Sequence, residues 1–257
     1  MSKDIILLMT ACINPINSYD TLVIKSIDER LQQYLEALHF YIEDTSIQNI
    51  VFCDNSNYMT TQKAKMQNIA KQKGKSFEWL TYEGTAKTAL YGKGYGEGEI
   101  IEWALKHSKI LKSNDYFLKV TGRLIVSNID DIIKHMDIRK NYFIGDMYNS
   151  YKGIDTRFFG CTNMFYKEVL LDAYKTCNDK KGKIIEKEFY SILYHNYKIY
   201  GFKCYPSIIG CSAGSGADYS KLVGWKKRFV NFLCYCNLYN SCFWIFYIPK
   251  AIKKRML

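Results

Sequence analysis

Tyr116-Phe-Leu-Lys-Val-Thr-Gly-Arg-Leu-Ile-Val126 is a mostly apolar run broken by Lys119, Gly122 and Arg123. A buried strand of a parallel sheet reads as a near-continuous Val/Ile/Leu/Phe run, so cations inside one are expected where the strand reaches a polar ligand site. Lys and Arg around a glycine suit an anion, above all a phosphate approached closely by backbone. The plainer alternative is a surface strand whose alternate side chains point to water.

Upstream, strand and helix patterns alternate. Asp4 to Ala11 reads as a strand, Asp28 to Ile42 as an amphipathic helix with Leu31, Tyr34, Leu35, Leu38 and Ile42 at helical spacing, and Gln48 to Cys53 as a second strand. Gln62 to Lys71 then predicts a helix and Phe77 to Tyr82 a third strand. This alternation favours an α/β domain with a parallel sheet. Asp54 follows the second strand, where open α/β sheets collect ligands, and its carboxylate suits a base or ribose. An Asx turn or a helix cap accounts for it equally well.

Gly92, Gly94, Gly96 and Gly98 stand in Tyr91-Gly-Lys-Gly-Tyr-Gly-Glu-Gly-Glu-Ile-Ile-Glu-Trp-Ala-Leu105, a glycine-rich entry to a helix. The stretch is neither GxxxxGK[ST] nor a GxGxxG after the first strand. Glu97, Glu99 and Glu102 complement the helix dipole and make a bare anion unwelcome there, so a sugar hydroxyl fits better than a phosphate. A flexible connection before a well-capped helix is the simpler alternative.

The length of 257 residues allows one sizeable core, and 48% hydrophobic with 24% charged residues excludes a disordered or multispan chain. The nine cysteines form no CxxC pair, and an odd count without an export signal points to reduced thiols in a cytoplasm. Neither they nor the four histidines have zinc spacing. The net charge is +11, but residues 221–257 carry eight cations and no acid, while the other 220 residues hold 28 cations against 25 acids. A nearly balanced body argues against nucleic-acid binding.

The chain thus divides into a domain over 1–220 and a basic, aromatic tail over 221–257. Lys226-Lys227-Arg228 and Lys250 to Arg255 bracket an aromatic segment, Phe229 to Ile248, with three asparagines. An in-plane anchor on anionic lipid fits this better than a span, with a C-terminal helix packed on the domain as the alternative.

Four motifs in order carry a resemblance: Thr10-Ala-Cys-Ile-Asn-Pro15, Gly92-Lys-Gly-Tyr-Gly-Glu97, Lys119-Val-Thr-Gly-Arg123 and Asp155-Thr-Arg-Phe-Phe159. Across roughly residues 3 to 220 the chain resembles bacterial GT-A-type glycosyltransferases of surface-polysaccharide synthesis (capsule, O-antigen or lipooligosaccharide). The resemblance implies a GT-A-like (Rossmann-like) α/β fold with a mixed, mainly parallel sheet flanked by helices, and sugar transfer from a nucleotide-sugar donor to a glycan or lipid-linked acceptor. It places the work in the cytoplasm, peripherally on the inner face of the cell membrane. It implies a donor site drawn from Thr10, Asp54, Gly94, Glu97, Lys119, Thr121, Gly122, Arg123, Asp155 and Arg157. An acidic residue deprotonating the acceptor hydroxyl matches Glu186 or Glu188, although first-turn glutamates also serve simply as dipole partners. Asp155 and Arg157 have an alternative as an internal ion pair.

One departure from the family pattern matters chemically. Where GT-A enzymes place an Asp-x-Asp that holds a divalent cation, this chain reads Lys-Val-Thr-Gly-Arg. Fixed cations can neutralise a departing nucleoside diphosphate, so no metal cofactor is expected. Mg2+ or Mn2+ on Asp146 or Asp155 is the alternative. Two other classes compete: a nucleotidyltransferase acting on a sugar phosphate, and a non-catalytic membrane-associated adaptor.

Overall fold

The computed structural model describes residues 5–15, 26–145, 152–194, 196–211, 218–219 and 225–240. Five strands form the main sheet: β1 (Ile5–Ala11), β2 (Asn49–Asp54), β3 (Ser76–Thr81), β4 (Tyr116–Thr121) and β6 (Phe158–Thr162). Their order is β3-β2-β1-β4-β6, and every neighbouring pair is parallel except β4 with β6. The helices among them are α1 (Ile27–Glu43), α2 (Gln62–Gln72), α3 (Ala86–Tyr91), α4 (Lys93–His107), α5 (Lys109–Ser113) and α6 (Ile129–Lys134). Beyond β6 come α7 (Asn163–Phe165), α8 (Ile185–Leu193) and α9 (Trp225–Tyr235). The α/β class expected from the alternating pattern is present, with a mixed, mainly parallel sheet flanked by helices.

Strand alternation sorts the core into two layers. Ile5, Leu7 and Met9 of β1 pack with α1 and α6, whereas Ile6 and Leu8 face α4, α5 and α8. Because a β-strand turns successive side chains to opposite faces, and Leu8 is in register with Lys119 and Thr10 with Thr121, all four point toward the α4 face. The same pairing sends Leu118 and Val120 toward α1.

The predicted strand over 116–126 ends at Thr121. The Gly122 amide donates to the Thr10 carbonyl at 2.8 Å and the Leu124 amide to Thr121 at 2.8 Å. The chain then leaves the sheet, and β5 (Ile125–Val126) pairs antiparallel with β7 (Ile208–Ile209). A Cβ on Gly122 would lie 2.7 Å from the Thr10 carbonyl oxygen. Close backbone packing therefore requires this glycine, a correction to its expected role in approaching a phosphate.

Before β6 the chain makes single bridges, Tyr142 with Gly160 and Gly145 with Ile154, and Asp146, named above as an alternative metal ligand, lies outside the described residues. After β6 come α7, a π turn over Tyr166–Leu170 and a 3-10 turn over Ala173–Thr176.

The glycine-rich entry is already helix. Gly94, Gly96 and Gly98 lie inside α4, where their missing side chains admit neighbours: Gly94 faces Ile185, Gly96 faces Thr88, and Gly98 faces Tyr174. At Gly98 an added Cβ would stand 2.1 Å from the Tyr174 Cβ, an atom fixed to its own backbone. Alanine would gain about 1 kcal/mol of helix propensity but incur an over-packing cost of about 1–3 kcal/mol. Gly98→Ala is therefore expected to lower the urea midpoint despite the better helix former. Gly74→Ala, with φ +68° and open space around it, should cost about 1 kcal/mol through backbone strain alone.

Candidate active site

The sheet's order reverses between β1 and β4, the switch point at which open α/β sheets hold ligands beyond their strand ends. A cavity of about 360 Å³ lies there, lined by the ends of both strands and by the first turns of α1, α4 and α8.

Its floor is an ion pair. Lys119 is wholly buried and donates to Glu97 Oε1, to the Thr156 carbonyl at 2.7 Å and to Thr121 Oγ1 at 3.2 Å. Three acceptors satisfy the three N–H bonds of the ammonium. Thr10 and Thr121 hydroxyls also reach Glu97 Oε1, at 3.4 and 3.3 Å. Glu97 Oε2 has no hydrogen-bond partner among the described residues, and Glu97 lines the cavity. Lys119 therefore does not stand as a bare phosphate cation, as its sequence setting suggested. It lies beneath Glu97 and holds that carboxylate in place.

The cavity's cations come from elsewhere. Arg123 is nearly buried, donates from Nη1 to Gln33 Oε1 at 2.8 Å and has no carboxylate partner among the described residues. Arg30, which the sequence analysis missed, projects from the first turn of α1 and grips the Cys12 carbonyl through Nε at 2.9 Å and through Nη2. Its signal was available: Arg30 precedes Tyr34 by one turn and so falls on the buried stripe of the helix. Lys93 stands on the rim. Desolvation, together with Arg123 and Arg30 nearby, lowers its pKa from the ordinary lysine value, although Asp179 opposes the change.

Arg157 also lines the cavity, but Asp155 accepts from its Nε at 2.9 Å and from Nη2 at 2.6 Å, and Tyr219 lies 4.3 Å from the guanidinium. Burial works against the charge, yet the Asp155 carboxylate more than offsets it and the Arg157 pKa rises. Asp155 and Arg157 form the internal ion pair named as the alternative. With both Asp155 oxygens engaged by Arg157, this residue is poorly disposed to hold a metal, and no cluster of metal-ligating side chains occurs among the described residues.

Asp54 is fully buried and does not line the cavity. Its carboxylate accepts from the Ile13 amide at 2.8 Å, from Ser56 Oγ at 2.8 Å, from the Tyr58 amide at 3.3 Å and from Thr81 Oγ1 at 3.2 Å. Burial raises its pKa against the pull of these donors. Asp54 ties the loops after β1 and β2 together, as an Asx turn does. Its neighbour Asn55 lines the cavity instead, nearly buried and with Oδ1 unpartnered among the described residues.

At the start of α4, Asp179 Oδ2 accepts from the Lys93 amide at 2.7 Å and the Gly94 amide at 3.4 Å. The helix's positive end is thus occupied by the protein's own carboxylate. Gly92, at φ +116°, leaves the room: a Cβ there would lie 2.4 Å from Asp179.

Glu186 and Glu188 part company. Both are in the first turn of α8, but two residues span about 200° of helix, so one side chain faces the cavity and the other does not. Glu186 lines the cavity and accepts from Thr156 Oγ1 at 3.4 Å. Glu188 accepts from Thr176 Oγ1 at 2.7 Å, away from the cavity. Cys12 also lines the cavity, but burial pushes its thiol up to about 11 despite Arg30, so it stays protonated near neutrality.

The molecule is thus a doubly wound α/β domain whose switch-point cavity carries the Arg30 and Arg123 guanidinium groups on the α1 side and the Glu97 and Glu186 carboxylates on the α4 and α8 side, with Lys93 of α4 at the rim. No family model and no curated protein matches the chain. Among solved structures, it is similar to a glycosyltransferase involved in the glycosylation of the major capsid of PBCV-1, with a TM-score of 0.46, 11% identity, and coverage of 78% of this chain and 82% of that one. It is also similar to a cytidylyltransferase from Leptospira borgpetersenii serovar Hardjo-bovis (strain JB197), with a TM-score of 0.35, 13% identity, and coverage of 70% and 68%.

The Lys119–Glu97 pair makes an asymmetric prediction. The Glu97 side chain is 21% exposed and Lys119 0%, so Glu97 left alone can reach water, whereas Lys119 left alone cannot. Breaking a buried pair from one side costs about 3–5 kcal/mol. Glu97→Gln should approach that figure in urea unfolding, and Lys119→Met should cost distinctly less. The opposite ranking would mean that Lys119 does not rely on Glu97.

Proposed function

We propose that this protein is a glycosyltransferase that moves a sugar from a nucleotide-sugar donor to an acceptor hydroxyl. The observation that carries the reading is the cavity's two-sided charge at the switch point. Arg30 and Arg123 lie on one side, and Glu97 and Glu186 on the other. A nucleoside diphosphate sugar has the matching halves, an anionic diphosphate and a hydroxyl-rich ring.

In this reading the diphosphate lies against Arg123 and Arg30, with Lys93 closing from the rim. Bidentate guanidinium contacts suit phosphate oxygens, and preset cations stabilise the charge that grows on the leaving group as the bond between the sugar's anomeric carbon and the diphosphate oxygen breaks. Glu97 Oε2 accepts from a donor-sugar hydroxyl. Asn55 offers an amide to the nucleoside end. The acceptor oxygen attacks the anomeric carbon while Glu186 takes its proton, and the nucleoside diphosphate departs.

Transfer then proceeds with protein cations in the place where the family pattern puts a divalent metal. The acceptor is a glycan or a lipid-linked glycan of cell-surface polysaccharide synthesis, reached from the cytoplasmic side. These finer assignments rest on the four sequence motifs, and the charge layout supports the transfer chemistry itself.

Calorimetry with a series of nucleoside diphosphates, with and without EDTA, tests the assignment. Binding insensitive to EDTA is expected. Arg123→Ala should weaken a nucleoside diphosphate by roughly 10- to 100-fold, the worth of a charge-assisted hydrogen bond, and leave the bare nucleoside nearly unchanged. Equal loss for both would make Arg123 structural. Release of pyrophosphate from a nucleoside triphosphate and a sugar phosphate would instead identify a nucleotidyltransferase.

Glu186 has a separate test. With a competent acceptor, Glu186→Gln should lower kcat by about 10²–10⁴-fold, the usual contribution of a general base, with nucleoside diphosphate affinity intact. Glu188→Gln should change kcat little.

A further inference from the structure

Helix α9 is apolar on two opposite sides. Val230 and Cys234 turn inward and join the core on the α1 side of the sheet, and Asn231 fixes the helix by accepting from the Tyr205 amide at 2.9 Å. Just beyond it, Tyr239 is buried and Asn240 donates to the Phe143 carbonyl at 2.8 Å. The described part of the tail is therefore docked on the domain, the packed-helix alternative of the sequence reading.

Docking leaves the other side uncovered. Trp225 is 67% exposed, Phe229 48%, Phe232 58% and Tyr235 70%. At 100° per residue these four fall within one arc of about 120°, with Arg228 among them. A surface helix normally keeps its outward side polar. A contiguous aromatic outward side marks an interaction surface.

Charge identifies the occupant. Lys226, Lys227 and Arg228 stand on the same helix, Lys203 reaches the Tyr235 carbonyl at 2.9 Å, and residues 221–257 contain eight cations and no acid. A second copy of this chain would bring the same positive charge to the contact and repel it. An anionic bilayer surface supplies the opposite charge, together with a headgroup layer in which Trp, Tyr and Phe rings settle. No helix among the described residues is long and apolar enough to cross a membrane.

We propose that α9 lies in the plane of an anionic lipid surface, with Trp225, Phe229 and Phe232 entering the headgroup layer, Arg228 among them meeting lipid phosphate, and Lys226 and Lys227 on the flanks of the helix adding to the attraction. The inner stripe at Val230 and Cys234 stays on the domain, so the protein docks without unfolding its tail. This surface is independent of what the cavity binds.

Sedimentation of the full chain with vesicles tests it, using phosphatidylcholine alone or mixed with phosphatidylglycerol. Binding is expected for the mixed vesicles and should fall as salt is raised, because the screening length shrinks to about 3 Å at 1 M. The triple variant Trp225→Ser, Phe229→Ser, Phe232→Ser should bind roughly tenfold more weakly or worse, since a single buried aromatic accounts for about that factor. Lys226→Gln, Lys227→Gln, Arg228→Gln should remove the preference for the anionic lipid. Unchanged near-ultraviolet circular dichroism checks that each variant is folded; for a variant that fails it, the single substitution Phe232→Ser is read in its place. Failure of the wild type to bind mixed vesicles overturns the proposal. Undiminished binding by the aromatic variant also overturns it, by giving the membrane contact to residues 241–257. A dimer in sedimentation velocity that the aromatic variant abolishes would assign the surface to a second copy.

Discussion

The architecture of the cavity depends on one buried contact, Lys119 with Glu97. An ammonium in a sheet interior is tolerable only if every N–H finds an acceptor, and Lys119 finds three from three places: α4, β4 and the turn before β6. Those acceptors lock the helix, the central strand and the turn to one another. A buried ion pair contributes little net stability compared with an apolar substitute of similar size, so stability alone gives no reason to keep it. What it does provide is geometry. Glu97 is held through Oε1 by Lys119, Thr10 and Thr121, and Oε2 is left for the cavity.

The two faces of the sheet explain why the charges are sorted. Arg30 belongs to α1, Arg123 follows β4, and both lie near Tyr34 on the α1 side, where they influence its phenol. Glu97 and Glu186 belong to α4 and α8, which cover the opposite face. Because the cavity opens where the two layers meet, it inherits its two guanidinium groups from one and these carboxylates from the other, with Lys93 of α4 at the rim. No loop rearrangement is needed to separate them. In the proposed reading, a ligand with an anionic end and a neutral, hydroxylated end is oriented by this arrangement.

Much of this was legible in the sequence, and the misses share physical causes. The four long strands and the helices over 27–43, 62–72 and 93–107 carry enough residues for periodicity to declare them, whereas α3, α5 and α6 are too short for any period to show. Alternation along Tyr116 to Thr121 already put Lys119 and Thr121 on one face. What sequence could not supply was the partner, since Glu97 is 22 residues away and meets Lys119 only through the fold. Asp54 was placed correctly at a strand end, but whether such a carboxylate faces a ligand or its own loops depends on Ile13 and Thr81, which belong to neighbouring strands and their exits. Arg30 was overlooked because an arginine in a helix reads as solvated surface unless its place on the buried stripe is weighed.

The glycine motif shows why the diphosphate of the proposed donor would be held by side chains. A helix N-terminus offers free amides and a positive dipole end, and doubly wound folds commonly spend these on a phosphate. In α4 the amides of Lys93 and Gly94 already hold Asp179, and Gly92 is shaped to admit that carboxylate. A diphosphate approaching this end would meet Asp179 and, one turn further, Glu97. The α1 end is no more open, because Ser26 caps it through the Glu29 amide and Asp28 and Glu29 occupy its first turn. With these two helix ends answered from within the chain, and the third, that of α8, carrying Glu186 in its first turn, the guanidinium groups are the best-suited partners for an anion. Arg123 is the best placed of them, since its bond to Gln33 leaves its charge unopposed by a carboxylate among the described residues.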